Sequence, residues 1–247
     1  GAELTIENLN DRGTIYYTIG GGDIRTRFRA GEDPTVLLVG ESEAKTVFVP
    51  QGPVADGWIS DPAFDDSAWI NGDGVVGYDT ATGYESLIDL NVQQHMYRQN
   101  ATCLIRIPFQ LDGAVLAELE GLELSIRYDD GFIAYLNGTE IHREFFAGTP
   151  AWNSAANGGR PDETTPARFD VPEFSNTLVE GENLLAIHGL NAAVDSSDFL
   201  IGVELRATRE PNGGGGGELT PEAIAYTGPI TLEETSRVRA RVLQDGT

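Results

Sequence analysis

Three features of the sequence predict an all-β protein. Leu122, Leu124, Ile126 and Tyr128 alternate with Glu123, Ser125 and Arg127, the period of a strand with one buried face. Asn137-Gly138 separates two strand-like runs and reads as a hairpin turn, because both residues tolerate positive φ. Elsewhere the apolar runs are short and bounded by Gly, Pro, Asp and Asn, and only one stretch has helical spacing.

Taken in order, residues 4–6 and 13–19 are short runs rich in β-formers. Residues 20–23 (GGGD) form a turn, and 24–28 begin another strand. Residues 34–39 and 45–49 read as strands, the second stopped by Pro50. A loop-like stretch from 56 ends in 64–69 (FDDSAW), and 72–83 is a glycine- and aspartate-rich turn series. The helix candidate is 84–97, where Leu87, Leu90 and Met96, with Val92 between, have roughly helical spacing and no proline or glycine follows Tyr84.

Residues 102–109 are predicted as a strand leading into a central meander, 122–143, with Asp129-Asp130-Gly131 as its first turn and Asn137-Gly138 as its second. Residues 148–166 make a long polar loop with a single aromatic, Trp152; loops of that length are uncommon in compact domains and often functional. Runs at 168–174, 183–190 and 199–207 complete this set, with 195–198 as the last turn. Five consecutive glycines within 210–218 predict a flexible linker, and 223–226, 229–232 and 237–242 are three further strands.

Charge and composition exclude several classes. Asp and Glu outnumber Lys and Arg 39 to 16, a net charge of -23, which repels nucleic acid and anionic membrane. No apolar run approaches the ~20 residues of a helical membrane span. The ends are abrupt and read as those of a mature piece of a longer chain. Cys103 is the single cysteine, so no internal disulfide forms, and its apolar run predicts a buried, inert thiol. Lys45 is the only lysine. No G-x-S-x-G, H-E-x-x-H, P-loop or dinucleotide fingerprint occurs, and His95, His142 and His188 lie in three separate contexts, the last two in strand runs. No catalytic signature stands out, although a glycosidase needs only two carboxylates and the chain has 39, so these absences leave such a pair open.

The motifs FDDSAW, YDDGFIAYLNG (128–138) and NLLAI (183–187) resemble the galactose-binding-like jelly roll found in carbohydrate-binding modules. MYRQNATCLIRIPF, TPAWNSAA and IHGLNAAVDSSDFLI resemble jelly-roll modules of large secreted proteins from planctomycetes, verrucomicrobia and related bacteria. Residues 13–25 and 219–241 resemble the two halves of a chitobiase/β-hexosaminidase C-terminal-type domain, a small Ig-like β sandwich, although Gly20-Gly21 and Ile24 depart from its usual turn. The resemblances imply a galactose-binding-like jelly-roll β sandwich, residues 35–210, followed by a linker at 211–217. This sandwich would be inserted in a small Ig-like domain built from 1–34 and 218–247.

They also imply a non-catalytic extracellular or cell-surface module that binds a polysaccharide or surface glycan. The alternative is a structural or adhesive unit that associates with copies of itself or with neighbouring domains of its parent. Sugar binding needs exposed aromatic faces with hydrogen-bonding groups beside them. Trp152 and Asn153 are the first candidates, and Tyr78, Tyr84, His95, Tyr97 and Arg98 form a second cluster. Trp58 and Trp69 read as core. Such jelly rolls often hold a structural Ca²⁺, for which Asp65, Asp66, Asp129, Asp130, Asp195 and Asp198, paired in turns, are candidate ligands. Gly72-Asp73-Gly74 and Asp79 are a further group. Aspartates in turns otherwise cap backbone amides.

Overall fold

Residues whose neighbours alternate in polarity became strands. In chain order they are β1 (Ala2–Leu4), β2 (Thr14–Ile19), β3 (Thr35–Val39), β4 (Lys45–Phe48), β5 (Ile70–Gly72), β6 (Val75–Asp79), β7 (Ile88–Asn91), β8 (Thr102–Leu111) and β9 (Leu119–Asp129). Then come β10 (Gly131–Leu136), β11 (Thr139–Glu144), β12 (Ala167–Asp170), β13 (Gly181–Leu190), β14 (Asp198–Arg209), β15 (Ile224–Ala225), β16 (Ile230–Leu232) and β17 (Val238–Leu243). Two single-turn helices, α1 (Gln93–Met96) and α2 (Gly113–Leu116), interrupt them. The computed structural model describes residues 2–8, 13–20, 24, 35–160, 163–172, 174–209, 219–232 and 235–243. The strand read at 24–28 and the glycine linker at 211–217 lie outside these, apart from Ile24.

The protein is all-β and divides into two compact units, Thr35–Thr208 and a smaller one made of Gly1–Pro34 with Arg209–Thr247. The larger is a jelly-roll sandwich. One sheet has the order β11-β10-β13-β8-β4-β5, with antiparallel pairing throughout. The other runs β12-β9-β14-β6-β7, with β3 also paired to β14. The smaller unit is an Ig-like sandwich in which β2 pairs with β15 and β17, and β1 with β16.

Alternation decides which face each residue occupies. Leu122, Leu124, Ile126 and Tyr128 of β9 face the space between the sheets, as do Phe199, Ile201, Val203 and Leu205 of β14. From the opposite sheet come Cys103, Ile105 and Ile107 of β8, Phe132, Ala134 and Leu136 of β10, and Leu185 and Ile187 of β13. Gly189 continues that inward row, and a Cβ there would lie 2.6 Å from the Phe199 ring, so glycine is required for the sheets to close. The Asn137-Gly138 hairpin forms as its sequence demands, with φ of 49° and 86°. Cys103 is fully buried, and burial pushes its thiol pKa well up, so it is inert.

Two local expectations are corrected. Residues 122–143 are not a meander: β9 belongs to one sheet and β10 to the other. Asp129-Asp130 carries the chain across the sandwich, and Tyr128 and Phe132 meet edge-on inside it at 4.8 Å. A hairpin and a crossing use the same turn residues, so local composition does not separate them. The helix expected over 84–97 is also absent, apart from α1. Leu90, Val92 and Met96 pack on the inner core, whereas Leu87 and Ile88 join Val75, Tyr84 and Leu200 in an outer cluster. One helix face cannot serve both, and β7 instead pairs in parallel with β6.

Lys45, the sole lysine, is buried on the inward face of β4. Its Nζ donates to the carbonyls of Glu41, at 2.8 Å, and Gly74. Burial lowers its pKa against the opposing pull of Glu41, Asp73, Asp89 and Glu43. The ammonium thus serves as a built-in cation tying the 41–45 and 72–75 turns together.

Candidate functional site

The outward residues of the β11-to-β5 sheet are themselves covered. Leu104 of β8, Ile133 and Tyr135 of β10 and Leu184, Ala186 and Leu190 of β13 are buried beneath Trp58 and Trp69 in a second apolar cluster. The covering segment, 50–69, includes a 3-10 turn at Asp56–Ile59 that places Trp58. It is clamped to the sheet by Arg106, an outward residue of β8 that is only 2% exposed. The Arg106 guanidinium donates to the carbonyls of Trp58 and Asp61 and, at 2.8 Å, to the Asp66 carboxylate, while lying 5.1 Å from the centre of the Phe64 ring. Trp69 stacks on Phe48 at 5.2 Å and meets Phe64 edge-on, so it is core, as its sequence context implies.

The 150–157 loop approaches the same face from the other side. Asn100 Nδ2 donates to the carbonyls of Pro50 and Trp152, at 2.7 and 3.1 Å, and so joins the two covering segments. Thr102 Oγ1 donates to the Ser154 carbonyl at 2.8 Å, and Ala156 N donates to the Asn191 carbonyl. Between the segments lies a cavity of about 310 Å³. Trp58, Tyr135, Leu104 and His188 line it toward the sheet, and Pro53, Val54, Asp56, Ile59, Pro150, Ala151 and Trp152 complete it. Trp58 meets both Tyr135 and His188 edge-on at 6.1 Å.

His188 is 3% exposed, and burial lowers its pKa to about 4, so the imidazole is neutral at physiological pH. Its Nε2 lies 3.0 Å from Thr102 Oγ1. Burial likewise raises the Tyr135 phenol to about 12. Asp56 is the one carboxylate among the lining residues.

Trp152 is therefore a cavity residue, and it is half-buried. Asn153 is exposed beside it and does not line the cavity. The second sugar cluster is not brought to this site. Tyr78 is fully buried, with its hydroxyl donating to the Ser196 carbonyl at 2.9 Å and accepting from Asn191 Nδ2, and Tyr84 is 2% exposed. Neither has a face to offer a sugar, which corrects their assignment. His95 is exposed at the end of α1; Tyr97 packs on Tyr78, and Arg98 lies over the Tyr97 ring at 5.0 Å. His142 stacks on Phe169 at 3.8 Å, a packing role. Trp58 reads as core in sequence and is buried, yet it also forms one wall of the cavity. Its partners Tyr135 and His188 carried no signal beyond their place in apolar strands.

Most of the paired aspartates already have protein partners. Ca²⁺ takes six to eight oxygen ligands, but among the described residues no group of three or more His, Cys, Asp or Glu side chains converges. Asp65 accepts from the Ser67 amide and hydroxyl, which hold its carboxyl below the usual range, and Asp66 is taken by Thr46 and Arg106. Asp130 accepts from the Ala192 amide at 2.6 Å, and Asp198 from the Ser197 hydroxyl. Asp129 is buried and Asp195 exposed. Asp79 caps the amides of Ala81 and Tyr84, and the Gly72-Asp73-Gly74 turn is served by the Lys45 ammonium. Turn capping, the alternative role of aspartates, is what Asp65 and Asp79 do.

No family model matches the chain, and no curated protein does. Solved structures similar to it include a Bacteroides uniformis β-glucuronidase, at 16% identity over 70% of this chain and 18% of that one, with a TM-score of 0.43. An uncultured Clostridium sp. β-glucuronidase has 16% identity over 75% and 31%, with a TM-score of 0.43. The Bifidobacterium dentium β-glucuronidase complexed with coumarin-3-O-glucuronide has 13% identity over 75% and 32%, with a TM-score of 0.44. The chain thus spans less than a third of the length of each.

Proposed function

We propose that this chain is a non-catalytic carbohydrate-binding module of a larger extracellular protein, and that the cavity between Trp58 and Trp152 receives the sugar. The observation that carries this reading is the cavity itself. It is lined by aromatic side chains with a few polar atoms, the composition of a small-ligand site, and its volume is at the lower end for one. An indole beside a sugar ring supplies C–H stacking, and the hydrogen bonds from Asn100 and Thr102 hold the Trp152 loop in place before any ligand arrives. A single lining carboxylate supports the non-catalytic part, since glycoside hydrolysis ordinarily needs two. The resemblance to jelly-roll modules of large secreted bacterial proteins supports the extracellular setting.

The test is a screen of the fragment on a glycan array, with Trp152→Ala alongside. The expected result is binding to one polysaccharide class that Trp152→Ala weakens by about tenfold, with circular dichroism unchanged. A folded wild type that binds nothing, or binding indifferent to Trp152, would overturn the reading.

A second reading, association with copies of itself or with neighbouring domains, is favoured by the smaller unit. Ile19, Leu219, Ile224 and Val242 there are all more than 40% exposed. Concentration-dependent sedimentation that Val242→Ser abolishes is its expected signature.

A further inference from the structure

We infer, resting on the sugar-binding reading above, that the cavity is built for a neutral sugar residue that donates a hydroxyl hydrogen to His188 Nδ1, and that it discriminates against uronates. The direction of the hydrogen bonds beneath the cavity decides which ring nitrogen carries the proton. Thr102 Oγ1 lies 2.8 Å from the Ser154 carbonyl and 3.0 Å from His188 Nε2. A carbonyl only accepts, so the single hydroxyl hydrogen of Thr102 points to Ser154. Thr102 Oγ1 must then accept from His188, which places the imidazole hydrogen on Nε2.

Burial among apolar side chains keeps the ring neutral, with its pKa lowered to about 4. Nδ1 therefore carries a bare lone pair. No hydrogen bond reaches it from the described residues, and His188 lines the cavity. Nδ1 is not among the buried atoms without a partner, so it opens to the cavity, where a ligand hydroxyl can take the place of water as its donor.

Charge sets the second half of the specificity. Among the described residues, Asp56 is the one acidic or basic side chain besides the neutral His188 and the Tyr135 phenol to line the cavity. Among the described residues no lysine or arginine lines it: Arg106 is committed to Asp66 and to the Trp58 and Asp61 carbonyls, and Arg143, which interacts with Tyr135, is paired with Glu140. A uronate keeps hydroxyls that can donate to Nδ1, but it would bring a second carboxylate toward Asp56 with no cation among the described residues to meet it. Trp58, Trp152 and Tyr135 line the cavity with no side-chain hydrogen bond to a described residue, so their N–H and O–H groups can serve the oxygens of a neutral sugar.

Two measurements test this. Imidazole ¹⁵N spectra of the free protein should show His188 protonated at Nε2 and bare at Nδ1, and Nδ1 should shift when a bound neutral oligosaccharide is added. Titration calorimetry of neutral gluco-, xylo-, manno- and galacto-oligosaccharides against oligogalacturonate and glucuronate oligomers should then give at least about tenfold weaker binding for the acidic set. Asp56→Asn should narrow that gap to about threefold or less by strengthening the acidic set.

An Nδ1–H tautomer in the free protein would overturn the inference, whatever sugar binds. So would uronates that bind as tightly as neutral sugars and are lost on Trp152→Ala, a result that leaves the carbohydrate reading standing. A folded protein that binds neither set would overturn the carbohydrate reading and this inference with it.

Discussion

Replacing Arg106 with methionine keeps an apolar stem on β8 and removes the guanidinium that clamps the 56–66 segment. The cost can be worked from its partners. The carbonyls of Trp58 and Asp61 lose their donor under a side chain that is 2% exposed, and each unmet buried acceptor costs about 1–3 kcal/mol. Asp66 keeps its bond from Thr46, and its side chain is 27% exposed, so solvent recovers part of the lost ion pair. Together these give a loss of about 3–5 kcal/mol, the range for breaking a buried pair by removing one partner. That is a large part of a typical domain's stability.

Urea unfolding of both proteins, followed by tryptophan fluorescence, measures the loss. Trp58 and Trp69 report the covering segment directly, and native-state emission of the variant should shift red as Trp58 becomes wet. Asp66→Asn should cost less than Arg106→Met, because the guanidinium keeps both carbonyls. A loss under about 1 kcal/mol with unchanged native emission would refute the reasoning and show that apolar packing alone seats Trp58.

Protonation of His188 should shape acid stability. Its pKa falls from 6.5 to about 4 on folding, so the unfolded chain binds the extra proton between those values. Stability from this group is complete above pH 6.5 and is lost progressively toward pH 4, by about 3 kcal/mol in all. Because many carboxylates titrate nearby, the measurement is the difference between wild type and His188→Gln across that window, and parallel curves would count against it. Lys45→Met should destabilise by about 2–4 kcal/mol, since it strands two carbonyls and gathers carboxylates without a cation; an effect within about 0.5 kcal/mol would show the ammonium to be dispensable. Excess chelator should leave the thermal midpoint within about 1 °C, since among the described residues no three acidic, imidazole or thiol side chains converge. A drop of several degrees would demonstrate a bound cation held partly by backbone oxygens.

The sequence by itself determined the all-β class, the buried face of β9, the Asn137-Gly138 hairpin and the burial of Cys103. All of these follow from local rules: side-chain parity along a strand and the φ tolerance of a turn residue. It also drew attention to Trp152 in its long loop. Only the tertiary structure decided that Asp129-Asp130 crosses between sheets, because a turn's composition does not say which partner the next strand finds. Only it separated Tyr78 and Tyr84, which are core, from Trp152, which lines a cavity. Thr102, Arg106 and His188 fall at outward positions of strands, where sequence reasoning expects solvent. Here two distant segments, 50–69 and 150–157, cover that face and turn those polar residues into a buried clamp and a cavity floor. Such covering is a contact between residues far apart in the chain, and no periodicity within a strand encodes it.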